Sequence, residues 1–465
     1  MQFDKRFIYF ICMVSAMGGL LFGYDWVVIG GAKPFYELFF NISSSPVMQG
    51  VAMSTALVGC LIGAMVAGAL ADKYGRKPLL TVAAVLFTVS AIATGAFNDF
   101  TMFNVARFIG GMGIGVASAL SPMYIAEISP TKVRGKLVSL NQMTIVLGIL
   151  AAQFVNWQLA DPIPEGASSA DILASWNGQM GWRWMFWAET LPAAVFLLLS
   201  FFIPESPRWQ ALNGKADKAC ETLAKVGGQE YAENELNRIK NTAAEDAKME
   251  KGGLAALFSN KYAAVLLLGV VIAVFQQWCG TNVIFNYAQE IFSAAGYSVG
   301  DVLFNIVITG IANVLFTFVA LYTVDRLGRR SLMLFGAGGL GVIYLILGSC
   351  YYFQVTGFFM VVLVVAAIAC YAMTLGPVTW VLLSEIFPNR VRGVAMATCT
   401  FALWVGCCTL TFSFPSLNAS LGSSGTFWIY SAICLCGFIF FLNKLPETKG
   451  KSLEQLEKEL IKNDK

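Results

Sequence analysis

Five stretches of this chain carry no Asp, Glu, Lys or Arg: 41–71, 137–160, 262–289, 331–384 and 393–443. A helix crosses the hydrocarbon core of a bilayer in about 20 residues, so the last two stretches each hold two crossings and a turn. Hydropathy along the chain predicts twelve spans, near 6–30, 47–71, 79–97, 102–126, 137–160, 182–203, 262–290, 298–324, 331–352, 357–385, 394–418 and 424–443. One such segment fits a buried helix in a soluble core, but twelve do not. Backbone polar groups in lipid must be paired within each segment, so the spans are helices and the fold class is an all-α membrane protein. Composition agrees: 57% of residues are hydrophobic and 13% charged, where ordinary soluble domains carry roughly 25% charged residues.

The charges give an orientation. Of the 31 Lys and Arg, 28 lie at the two termini and in 72–78, 127–136, 205–261, 325–330 and 385–392. These are alternate connections, so both termini and the middle loop are expected on the cytoplasmic side of a cell (inner) membrane. The intervening segment 157–181 has the acids Asp161, Glu165 and Asp171 and no Lys or Arg. The three exceptions are Lys33, Arg107 and Arg183. Lys5 and Arg6 precede the first span, but that span runs on into Gly-rich sequence without an A-x-A site, so no cleavable signal is expected.

Several chemistries are excluded. The eleven cysteines form no C-x-x-C pair and no metal spacing, and free apolar thiols are expected. There is no histidine, so neither a His proton relay nor a His metal site is available, and proton chemistry falls to carboxylates. No metal and no cofactor are expected. Segment 205–261 holds nine basic and nine acidic residues, which gives no support to a nucleic acid partner.

The two halves repeat each other. "DKYGRK" (72–77) recurs as "DRLGRR" (325–330), "EISPTKVRG" (127–135) as "EIFPNRVRG" (385–393), and "PESPRW" (204–209) is echoed by "PETKG" (446–450). Each copy closes an equivalent span. The chain therefore divides into two pseudo-symmetric six-helix bundles, 1–204 and 262–443, joined by a helical cytosolic linker, 205–261, and followed by a tail, 444–465. Transporters built from such repeats place substrate and ion near the midplane and rock around it. At the cytoplasmic ends, Gly75 and Gly328 allow a tight turn. Arg76, Arg134, Arg329 and Arg392 can pair with Glu127, Glu205, Glu385 and Glu447, and Arg208 belongs to the same set. Such pairs would tie the halves shut inside while the outside is open. The plainer alternative is ordinary basic anchors at the membrane surface.

Together, "GGLLFGYD", "DKYGRK", "PESPRW", "FQQWCGTN", "VDRLGRR", "GPVTWVLLSEIFPNRVRG" and "PETKG" resemble the sugar porter family of the major facilitator superfamily. The similarity runs over about residues 7–455 in family order. It is nearer to bacterial proton-coupled pentose and hexose symporters than to animal glucose facilitators. It implies the twelve-helix alternating-access fold, a monosaccharide and a proton as partners, and a monomer in the bilayer.

A neutral sugar offers hydroxyls that donate and accept, and apolar C–H faces. Its site needs amides, which do both, and flat aromatic rings. The seventh span supplies "FQQWCGTNVIFNYAQ", with Gln276, Gln277, Asn282 and Asn286, and with Gly280 permitting a break. The fifth offers Gln142, the eighth Asn313, the tenth Trp380 beside Pro377, and the eleventh Trp404. Each amide taken singly also fits helix–helix glue in a bilayer. The resemblance implies that Gln142, Gln276, Gln277, Asn282, Asn313, Trp380 and Trp404 bind sugar, with Phe22 and Gly376 nearby. Two positions depart from the family pattern. Asn286 stands where Tyr is usual, and Leu403 replaces an Asn or Gln, which points to a different or smaller substrate. Trp26 stands where many relatives have a smaller residue.

Asp25, Arg107 and Glu189 are ionisable residues in the outer half of the first bundle. Intramembrane charges are costly and by default functional. Asp25 and Arg107 can pair across adjacent helices, and an acid that moves between a paired and an unpaired, dry environment can take a proton outside and release it inside. The alternative is a permanent bridge that only holds the bundle together. The resemblance implies proton coupling, since coupled members keep an acid here where facilitators often carry an amide. A passive facilitator and a non-transporting nutrient sensor share the architecture; the tail of about twenty residues after Asn443 argues against the sensor. With no His, no nucleophile motif and no phosphate-binding loop, the chain is not expected to be an enzyme.

Overall fold

The computed structural model describes residues 3–131, 133–164, 166–248, 257–258, 260–388, 391–449, 451 and 456. Most of the tail 444–465 and residues 249–256 of the linker lie outside them. Ten helices among the described residues are long and apolar enough to cross a membrane. One of them, Arg392–Lys444, runs 53 residues. At about 1.5 Å per residue that is about 80 Å, more than twice the roughly 30 Å of hydrocarbon. It is two spans end to end, and they meet at Gly422, where φ 66° and ψ 175° leave the helical region. The sixth span escapes the length criterion because it is broken, Trp182–Trp187 and then Thr190–Ser200, with a turn at Ala188–Glu189. Pro192 accounts for the break, since it has no N–H to offer the Ala188 carbonyl. With these two spans resolved the chain makes the twelve expected crossings.

Packing divides the chain into two units. The first comprises Met1–Val28, Thr55–Ala152 and Arg183–Glu250. Within it the third span (Arg76–Ala96) packs on the fourth (Phe100–Ile128) and the sixth. The first span (Lys5–Phe39) and the fifth (Arg134–Leu159) approach to backbone contact. A Cβ added at Gly23 would land on the Ile145 carbonyl, and one at Gly148 on the Leu20 carbonyl. Small residues at such crossings are what lets membrane helices interlock without a hydrophobic driving force.

The second unit comprises Ile29–Ser54, Gln153–Trp182 and Lys251–Lys465. Its seventh span is broken twice, into Asn260–Trp278, Thr281–Asn286 and Ala288–Ala294. The first break is the expected one: Gly280 takes φ 87°, a left-handed conformation that glycine adopts freely. The second, at Tyr287 (φ −124°, ψ 27°), has no such residue and was not legible in the sequence. The tenth span divides at Thr374 into Phe358–Met373 and Leu375–Ile386, because Pro377 cannot donate to the Met373 carbonyl.

The repeated motifs build matching ion networks, one inside each unit. In the first, Arg76 holds Glu127 bidentately (Nε to Oε2 3.0 Å, Nη2 to Oε1 2.9 Å) and its amide donates to Glu205 at 2.9 Å. In the second, Arg329 donates to Glu385 at 3.1 Å and its amide to Glu447 at 2.9 Å. Ser206 and Thr448 complete the analogy, on Glu127 at 2.5 Å and on Glu385 at 2.6 Å. Burial pushes the Glu447 carboxyl up, but the backbone amides of Lys449, Arg329, Arg330 and Thr448 outweigh it and hold it below its ordinary range. Arg392 donates to the Phe387 carbonyl, Arg134 is half-buried, and Arg208 is exposed.

Removing one partner of a buried pair leaves the other charge without compensation, at a cost of about 3–5 kcal/mol. Both Arg76 and Glu127 are buried in their side chains. Glu127→Ala is therefore expected to lower the thermal midpoint of the detergent-solubilised protein by many degrees. An unshifted melt would mean that water already solvates the pair.

Candidate functional site

The amides of the seventh span are buried and linked to one another. Gln276 donates to the Tyr371 hydroxyl at 2.6 Å, Gln277 donates to Gln276 Oε1 at 2.5 Å, and Asn282 donates to Gln277 Oε1. Asn282 also approaches Cys407 Sγ at 3.7 Å. The Gly280 turn makes this run possible. It lets residues that a straight helix would spread around its circumference share one side. Asn286, on the same broken segment, keeps a buried Oδ1 with no hydrogen-bond donor among the described residues. In the eighth span (Val299–Leu327) Asn313 is buried, and in the eleventh Trp404 is buried while its neighbour Leu403 presents only hydrocarbon. Trp380, at 40% exposure, has room on its ring face. Gly376 lies against the Tyr371 ring, where an added Cβ would sit 3.4 Å from Cε1.

Tyr371 escaped the sequence analysis. Its signal was slight: a lone hydroxyl in an apolar run, six residues before Pro377. In the first unit, Phe22 meets Trp26 edge to face at 5.7 Å between ring centres, which gives Trp26 a packing partner. Gln142 is half-buried on the fifth span.

The charged cluster also lies within the first unit. Arg107 Nη1 donates to Asp25 Oδ1, and its Nη2 to the Asp25 carbonyl at 3.1 Å. The guanidinium lies over the Phe186 ring, 5.4 Å from its centre. Glu189 sits at the turn that breaks the sixth span, within electrostatic reach of both. All three are sealed: Asp25 is 1% exposed, Arg107 2% and Glu189 2%. Asp25 Oδ2 and Glu189 Oε1 are buried with no hydrogen-bond donor among the described residues. Small neighbours make the room, since a Cβ at Gly110 would meet Asp25 Oδ2 at 2.9 Å. Tyr24 ties the first span to the sixth through the Met185 carbonyl at 3.2 Å. The cluster thus holds two buried carboxylates and one guanidinium, with Asp25 the carboxylate that the guanidinium contacts.

The family profile described as "Sugar (and other) transporter" matches residues 11–460. The chain belongs to this family. It is a membrane transporter rather than an enzyme, and sugar transporters resemble it along nearly their whole length. It is 36% identical to the arabinose-proton symporter of Bacillus subtilis over 458 residues, covering 98% of this chain and 96% of that one. It is 37% identical to the D-xylose-proton symporter of Escherichia coli over 486 aligned positions, with the same coverage. Among solved structures, the inward-open conformation of the E. coli xylose transporter XylE superposes with TM-score 0.85 at 35% identity, covering 97% of this chain and all of that one. Within this sugar transporter two places offer chemistry: the linked amides and the buried charge cluster.

Proposed function

We propose that the chain imports a monosaccharide together with a proton by alternating access, as a monomer in the cell (inner) membrane with both termini cytoplasmic. The observation that carries this is the cluster Asp25–Arg107–Glu189. Two carboxylates and one guanidinium sum to one surplus negative charge, and an unbalanced charge in a dry site costs several kcal/mol. A single proton makes the cluster neutral. Placed on Asp25, it releases Arg107 toward Glu189 and loosens the first span from the fourth. Protonation then favours one conformation, which is the condition for coupling, since a ligand shifts an equilibrium only by its differential affinity for the two states.

Sugar recognition fits the linked amides. Gln276, Gln277 and Asn282 hydrogen-bond in a chain, and sugar hydroxyls can replace those bonds one for one. Asn286 offers an acceptor already free, Asn313 a further amide, and Trp380 and Trp404 flat faces beside Gly376. Phe22 and Gln142 keep the role that the resemblance implies. The named relatives are an arabinose-proton and a D-xylose-proton symporter, which supports a pentose here, with a hexose as the other monosaccharide class. Arg76, Glu127, Arg134, Glu205, Arg208, Arg329, Glu385, Arg392 and Glu447 would serve the cytoplasmic gate, with the Arg76 and Arg329 pairs bracing one unit each instead of tying the halves to each other.

Proteoliposome uptake of L-arabinose, D-xylose, D-galactose and D-glucose, with and without an imposed pH gradient, tests this. Accumulation above the outside concentration only with an inward proton gradient is expected. Uptake that stops at equal concentrations under both conditions identifies a passive facilitator, and binding without flux identifies a sensor.

A further inference from the structure

A further buried cation lies beside Tyr287, at the end of the broken segment that carries Asn282 and Asn286. Lys33, in the first span and 1% exposed, touches two carboxylates: Glu37 one turn along at 2.8 Å, and Glu290 on the last segment of the seventh span. All three belong to the second unit. Gln49 donates to Glu37 Oε2 at 3.3 Å, and the Lys33 ammonium stands 5.3 Å from the Tyr287 ring centre. Among the described residues, the hydroxyls of Tyr36, Tyr287 and Tyr430 are further titratable groups near these charges. Just before the lysine the backbones meet: a Cβ on Gly30 would sit 3.0 Å from the Phe285 carbonyl and 3.1 Å from that of Asn286.

The piece of chain so held is short. Ala288–Ala294 is a seven-residue helix that follows two breaks, at Gly280 and Tyr287, so it can pivot without unwinding its neighbours. The Lys33 ammonium joins it to the first span through Glu290, while Tyr351 donates to its Ile291 carbonyl at 2.6 Å. A buried ion pair is strong while dry and weak once water reaches it, because hydration replaces the attraction. Glu290 is the member that water reaches, with 24% of its side chain exposed. Such a contact has two discrete states rather than a continuum.

We propose that Lys33 is a positioning residue of the transport cycle, the latch that fastens Ala288–Ala294 to the first span through Glu290. The latch rests on the alternating-access reading for its purpose. The contact and its loosening are measurable with no sugar present, so its failure is separable from failure of that reading. Glu37 keeps the ammonium aimed when the segment swings away.

Hydrogen exchange of the sugar-free protein in lipid nanodiscs, followed over residues 281–294, tests it. Lys33→Met and Glu290→Gln are each expected to speed exchange there at least tenfold. Lys33→Arg is expected to exchange as wild type does. The double exchange Lys33→Glu with Glu290→Lys, which preserves the same set of charges, is expected to restore protection. Wild-type exchange in both single variants overturns the latch, and so does a double variant that stays as fast as the singles. Exchange over 79–90 in the third span reports general damage. Should Lys33→Met raise it too, Glu290→Gln, which removes no cation, decides by the same criterion.

Discussion

Asp25→Asn is expected to abolish accumulation of sugar against its gradient while leaving counterflow exchange intact. The asparagine keeps an oxygen to accept from Arg107 Nη1, the bond that Asp25 Oδ1 makes now, so the packing of the first and fourth spans survives. What changes is the charge balance. Arg107 and Glu189 then neutralise each other with no proton, and the conformational equilibrium loses its dependence on protonation. Exchange of labelled for unlabelled sugar needs only the substrate-loaded transitions and continues. Uphill transport needs the proton and stops, with the internal concentration levelling at the external one. A variant that still concentrates sugar would remove Asp25 from the coupling site. It would also favour a permanent bridge, whose loss would lower stability and not coupling.

Gln276→Ala and Asn282→Ala carry the second large effect. Each truncation removes a hydrogen-bond partner that a bound hydroxyl would use and strands a neighbour, Tyr371 or Gln277. A buried polar group left unpaired costs about 1–3 kcal/mol, which is roughly 5- to 150-fold in affinity. The half-saturation concentration for uptake is expected to rise by that factor, with protein abundance in the membrane unchanged. Unchanged uptake in both variants would leave the amides as glue between helices.

The architecture was legible because lipid makes few demands and makes them everywhere. Charge-free length gave the spans, and three motifs in the same order gave the repeat. The Gly280 and Pro377 breaks were visible for local reasons, one a free φ and the other a missing donor. The turn at Glu189 was equally local, since Pro192 stands three residues on, yet an apolar run masks a break that composition does not interrupt. Long-range partners were beyond reach. Lys33 and Glu37 show helical i,i+4 spacing on the page, but Glu290 lies 257 positions from the lysine, and Tyr371 lies 95 from Gln276. Asp25 and Arg107 were found because charges are rare inside spans. Tyrosines are common enough in spans for Tyr371 to pass unnoticed, and Lys33 stood out only as an exception to the charge pattern, with no partner in view.

Sugar-driven proton movement tests the coupling most directly. Proteoliposomes or de-energised cells in weakly buffered medium receive a pulse of whichever sugar the uptake panel selects, and the external pH is recorded. Inward symport takes protons from the medium, so the pH is expected to rise on each sugar addition, to be abolished by a protonophore and to be absent with Asp25→Asn. Sugar entering the wild-type vesicles with no change in external pH would contradict proton coupling.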